Sequence, residues 1–146
     1  MNPERKTLEG ALLTLIGSLL IVGAISGTML RHVVQVIPAI AATILAWRGP
    51  AWSRAAARPV FIFWLLIVIL IWLHALGVAH VVTGRITPAE VGLTVAMAVS
   101  CVVGIAASLR ASTPSSRGAR GAAFLFFAAV QVGAMWLSLR PPIAGR

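Results

Sequence analysis

The chain has 146 residues, 60% of them hydrophobic and 10% charged, with a mean hydropathy of +0.99. A soluble domain carries about 25% charged residues and about 45–50% apolar ones, and a chain this short buries only about two-thirds of its surface on folding, so lipid must solvate much of the excess. The net charge of +9 is spread over gaps between apolar runs, where the membrane orientation rule collects Lys and Arg; no basic stretch is interleaved with stacking aromatics, and nucleic-acid binding is not expected.

The fold class these numbers imply is all-α: a polytopic integral membrane helix bundle of five transmembrane helices in a single domain, residues 1–146. A spanning helix needs about 20 apolar residues to cross a hydrocarbon core about 30 Å thick. The first run, residues 8–29, meets that requirement. It also resembles a secretory signal, with a basic start at Arg5 and Lys6 and the triplet Ala24-Ile25-Ser26 near its end. Cleavage there would leave four spans, but the apolar stretch is longer than a usual signal core and is read as retained.

The second run, residues 33–47, follows after only Arg31 and His32. One helix through both runs would be far too long at about 1.5 Å per residue, so a turn is expected near Gly27–His32. The second run is short and contains Pro38; it either spans with little tilt or forms a re-entrant or interfacial segment, which would again leave four spans. Spanning is the expectation.

The third run, residues 60–82, is the most hydrophobic and holds Trp64, Trp72, His74 and His80, with Pro59 suited to a first helical turn. The fourth, residues 91–109, follows Thr87-Pro88-Ala89-Glu90, a capping-box spacing in which the Thr hydroxyl and the Glu carboxylate each take a backbone N–H. A polar loop, Ser112-Thr113-Pro114-Ser115-Ser116-Arg117-Gly118, separates it from the fifth run, residues 121–139, which Arg140-Pro141-Pro142 should stop.

Five alternating spans put Arg5, Lys6, Arg48, Arg54, Arg58, Arg110, Arg117 and Arg120 on one side and Arg31, Arg85, Arg140 and Arg146 on the other. The excess marks the first side as cytoplasmic, giving a cytoplasmic N-terminus and an external C-terminus. An alanine- and arginine-rich composition suits a bacterial chain from a GC-rich genome, and hence a bacterial inner membrane.

The most regular pattern lies in the fourth run, where Gly92, Ala96, Ser100, Gly104 and Ser108 recur every four residues. Such a stripe lets a neighbouring backbone approach closely, gaining van der Waals contact where lipid supplies no hydrophobic drive. Gly23 and Gly27 form a shorter version in the first run. An internal helix contact is the expectation, with a contact between subunits as the alternative.

Ionisable groups inside a membrane are costly and therefore suggestive. His74 is expected to lie deepest, hydrogen-bonded to a neighbour. Topology gathers Arg31, His32 and Gln35 with His80, Arg85 and Glu90 at the external surface. Interfacial anchoring and loop pairing, such as Glu90 with Arg31 or Arg85, is the leading reading. Binding of an anionic ligand or lipid headgroup is the second, and axial haem ligation by His32 and His80 the third. Gln131, midway along the fifth run, is expected to make an interhelical hydrogen bond.

The single cysteine, Cys101, excludes an internal disulfide and any CxxC motif. Aspartyl chemistry is excluded because the three acidic residues are Glu4, Glu9 and Glu90. No phosphate-binding glycine loop or HExxH motif is present, no metal site is expected, and no arginine repeat within a helix supports voltage sensing. The leading function is a non-enzymatic accessory or scaffold subunit, in a homo-oligomer or a larger membrane complex, with no cofactor. The rivals are a small transporter or channel using His74, Gln131 and the polar rim, and a b-type haem or quinone-binding electron carrier. A lipid-directed enzyme would have only His32, His80 and Glu90 as acid–base groups.

Overall fold

Five apolar stretches form helices long enough to cross a bilayer: α1 (Pro3–Ile25), α2 (Met29–Arg48), α3 (Ser53–Ala75), α4 (Pro88–Arg110) and α5 (Arg117–Ser138), followed by a single turn, α6 (Pro141–Ala144). The computed structural model describes residues 3–79, 87–110 and 115–144, and no strand occurs among them. The chain is an all-α helical bundle.

Contacts define a ring in which α1 packs on α2 and α4, α4 on α3, α3 on α5 and α5 on α2, with α2 also touching α3. Side-chain contacts fix the helix directions. At one end, Arg5 of α1 donates to the Trp47 carbonyl of α2, Arg54 of α3 pairs with Glu4 of α1, and Arg58 of α3 donates to Ser108 of α4. At the opposite end, Gly23 of α1 lies under His32 of α2, Trp72 of α3 donates to Thr94 of α4, and Gln35 of α2 donates to Ser138 of α5. Successive helices are therefore antiparallel, and α3 and α5 run parallel.

Many small side chains face inward, beside a larger core of Leu8, Leu12, Leu15, Leu19, Phe61 and Trp64, and many large ones face outward. Ala39, Ala42, Ala46, Ala56, Ala57, Ser100 and Gly104 are buried, whereas Leu30, Leu66, Val99, Val102, Leu125 and Phe126 are exposed. Water would drive the reverse arrangement; close backbone approach with large apolar groups turned to solvent is how helices associate in lipid. The buried Ser100 and Ser108 satisfy their hydroxyl protons within their own helix, donating to Met97 O and Ile105 O at 2.8 and 2.7 Å.

Several boundaries differ from the sequence reading, each for an identifiable reason. The turn after α1 is made by Gly27, with φ +67°, a conformation that favours glycine. A Cβ at Gly27 would meet nothing within 4 Å, so this glycine serves the turn and not a helix contact. The second helix takes in Met29 through His32 and reaches Arg48, so it has 20 residues and the length to span. The third lies about seven residues earlier than expected. It starts at Ser53 and absorbs Arg54 and Arg58, with Pro59 inside its second turn. It ends where Gly77, at φ +74°, lets the N–H of Val78 reach Leu73 O and that of Gly77 reach His74 O, both at 2.9 Å, the doubled bond pair of a Schellman ending. The fifth begins at Arg117, where the Ser116 hydroxyl accepts from Ala119 N. After α5 the prolines permit one more helical turn.

Candidate functional site

The α4 stripe diverges along its length. Gly92 is exposed, with open space where a Cβ would stand; Ala96 is half-buried, and Ser100, Gly104 and Ser108 are buried. The closest approach is at Gly104, where a Cβ would stand 2.3 Å from Phe61 Cζ, so glycine lets the fully buried Phe61 ring of α3 lie on the α4 backbone. Gly23 does the same for α1 and α2, since a Cβ there would stand 2.8 Å from His32 Cβ.

Of the polar residues expected at one rim, His32 and Glu90 bond within their own turns and Gln35 bonds across to α5. His32 Nδ1 lies 3.1 Å from both Thr28 Oγ1 and Thr28 O. Gln35 is buried and donates to Ser138 Oγ at 2.9 Å and to Met135 Sδ at 3.3 Å. Glu90 forms the capping box, accepting from Thr87 N at 2.7 Å while Glu90 N donates to Thr87 Oγ1 at 3.3 Å. Among the described residues, no hydrogen bond or ion pair joins Arg31, His32, Gln35 and Glu90 to one another. His80 and Arg85 lie outside the described residues.

His74 lies in the last turn of α3, half-buried, with Nδ1 3.0 Å from Ala79 O. It is therefore near a helix end and not deep in the bundle; the cause is Gly77, which stops the helix sooner than the run of apolar residues suggested. Gln131 is fully buried in α5, and neither Nε2 nor Oε1 has a hydrogen-bond partner. Arg120 of α5 shares a cavity with Arg54 and Arg58 of α3. Counting along the parallel helices at about 1.5 Å per residue, Gln131 lies level with the stretch around Leu65 to Ile69, about 10 Å short of His74. Neither residue lines either of the two cavities described next.

The first cavity, about 580 Å³, is an open apolar groove between α2 and α5, lined by Ala41, Ile44, Leu45, Trp52, Ala119, Ala122, Ala123, Phe126 and Phe127. The second, about 450 Å³ and more enclosed, sits at the arginine-rich end between α3, α4 and α5. Arg54, Arg58, Arg120 and Ser108 supply its polar wall, with Ala55, Gly121, Leu109, Phe124 and Leu125 completing it. Arg58 is fixed by Nε to Ser108 Oγ at 3.2 Å and Nη2 to Ser108 O at 3.0 Å. Nearby, Arg5 pairs with Glu9 at 2.7 Å, and Arg54 with Glu4 at 3.1 Å.

Sequence reasoning treated these arginines as topology markers and missed that Arg54, Arg58 and Arg120 line one cavity. The available signal was the spacing of Arg54 and Arg58, one helical turn apart beside the helix-favouring run Ala55-Ala56-Ala57. No group of three or more His, Cys, Asp and Glu able to hold a metal ion occurs among the described residues. Comparison with known proteins gives no match to a family model, to a curated protein or to a solved structure.

Proposed function

We propose that this chain is a non-enzymatic accessory or scaffold subunit of a bacterial inner-membrane complex, spanning the bilayer five times with a cytoplasmic N-terminus and an external C-terminus. The observation that carries the reading is the incomplete cover of α5: 17% of its apolar window is buried, against 39% in each of the other four helices. Its outward face presents Gly118, Ala122, Ala129 and Gly133 at helical spacing among the exposed Leu125, Phe126 and Trp136, beside the apolar groove against α2. Small residues on a lipid-facing surface gain little from lipid tails and much from a closely approaching helix. The occupant proposed is a transmembrane helix of another chain. Orientation is supported by the arginine excess at the end bearing the N-terminus of α1.

The test is native mass spectrometry of the tagged chain extracted from its own membranes in a mild detergent. A second polypeptide is expected, and the pair Ala122→Ile and Gly133→Ile should remove it while helical content is kept, since a Cβ at Gly133 meets nothing within 4 Å. A bare monomer from the unmodified chain overturns the reading, and a homo-oligomer replaces it with self-assembly.

A further inference from the structure

The cavity at the arginine-rich end has the wrong charge to stand alone. Three guanidiniums, Arg54, Arg58 and Arg120, share one cavity. Glu4 is the carboxylate paired with Arg54, and no ion pair reaches Arg58 or Arg120 among the described residues. Arg58 is held by Ser108, a neutral partner that orients it without offsetting its charge. Half-enclosed cations of one sign repel each other and lose solvation, a cost that a shared anion relieves.

The remaining wall says what kind of anion. Leu109 and Leu125 line the same cavity and are 60% and 69% exposed on the outer surface of the bundle. With Phe124 they carry the cavity from its basic floor out to the surface that faces acyl chains. The site also sits at the right depth. It lies at the first turns of α3 and α5 and the last turn of α4, and helices of 23 residues, about 35 Å, overrun a hydrocarbon core of about 30 Å into the headgroup layer.

We infer that Arg54, Arg58 and Arg120 hold the phosphodiester of an anionic phospholipid, whose acyl chains pass out over Leu109, Phe124 and Leu125. Basic pockets between transmembrane helices recognise such headgroups through charge-assisted, forked hydrogen bonds. The apolar lip favours a lipid over free phosphate. This site shares no lining residue with the α2–α5 groove on the other flank of α5, and its phosphodiester contacts do not rest on the accessory-subunit reading.

The full chain is delipidated in detergent and titrated with phosphatidylglycerol, phosphatidylcholine or inorganic phosphate, with bound species counted by native mass spectrometry. Phosphatidylglycerol is expected to bind at one saturable site and phosphatidylcholine to bind more weakly by about tenfold, the scale of a charge-assisted hydrogen bond. Arg120→Gln, at a side chain with no described ion-pair partner, should weaken phosphatidylglycerol by about tenfold, and Arg120→Lys by less. Arg117→Gln removes an exposed arginine outside the cavity and should change binding by no more than about twofold at physiological salt.

Equal losses in the Arg117 and Arg120 variants overturn the site in favour of diffuse surface charge. Equal binding of the two lipids overturns headgroup recognition. Displacement of phosphatidylglycerol by millimolar inorganic phosphate makes the free ion the ligand and overturns the lipid assignment. If Arg120→Gln loses helical content, the lipid and phosphate competitions on the unmodified chain still decide.

Discussion

Gly104→Ala is the smallest change that tests how α3 and α4 pack. The added Cβ would stand 2.3, 2.4 and 2.6 Å from Phe61 Cζ, Cε2 and Cε1, whereas carbon atoms rest at about 3.5–4.0 Å. The ring or the helix must therefore move by about 1 Å or more. Phe61 is fully buried, so the ring has no open space to swing into. Over-packing costs about 1–3 kcal/mol, and a displacement of this size belongs at the upper end. Alanine returns about 1 kcal/mol through helix propensity, leaving a net loss of about 2 kcal/mol.

The assay is reversible unfolding in mixed micelles by increasing dodecyl sulfate, followed by far-ultraviolet circular dichroism. Gly92→Ala in the same helix meets nothing within 4 Å and should be neutral or stabilising by up to about 1 kcal/mol. Phe61→Leu removes the colliding ring edge, so the double variant Phe61→Leu/Gly104→Ala should be more stable than the sum of the two single changes predicts. A Gly104→Ala protein as stable as the parent, or a strictly additive double variant, would refute the reasoning.

Two further outcomes follow from the buried polar groups, read in the same titration. Gln131→Leu removes a fully buried amide with no hydrogen-bond partner and should raise stability by about 1–3 kcal/mol; an unchanged or lowered midpoint would show that the amide is satisfied. Ser138→Ala takes the acceptor 2.9 Å from Gln35 Nε2 and should cost about 1–3 kcal/mol, most of it recovered when Gln35→Leu is added. Failure of that second change to restore stability would break the assigned pairing.

The helices themselves were legible because lipid imposes a single requirement, a long apolar run; the second run fell short of it as read, and α2 reaches spanning length by taking in Met29 to His32 and Arg48. Their ends were not, because ends are set by local geometry that hydropathy does not register. Arg54 and Arg58 looked like loop residues, yet their backbone continues α3 while their side chains bond Glu4 and Ser108. Gly77 was hidden inside an apolar stretch although its backbone ends the helix. The α4 stripe was visible as spacing, but only the positions of neighbouring helices determine that Gly104 meets Phe61 while Gly92 meets nothing. The polar rim misled in a different way. Topology brings Arg31, His32, Gln35 and Glu90 to one end, but each of His32, Gln35 and Glu90 takes its partner from its own turn or from α5. Counting charges by side could not show that Arg54, Arg58 and Arg120 line one cavity.

The bond between Gln35 and Ser138 sets a timetable for biogenesis. Its partners are 103 residues apart, so at a synthesis rate of about 5–20 residues per second the amide on α2 waits roughly 5 to 20 s for its acceptor to be made. During that interval α2 has no α5 beside it, and the Gln35 amide lacks the hydroxyl that it bonds in the folded bundle. Closure of the ring thus waits on α5, the last of the five long helices to be made.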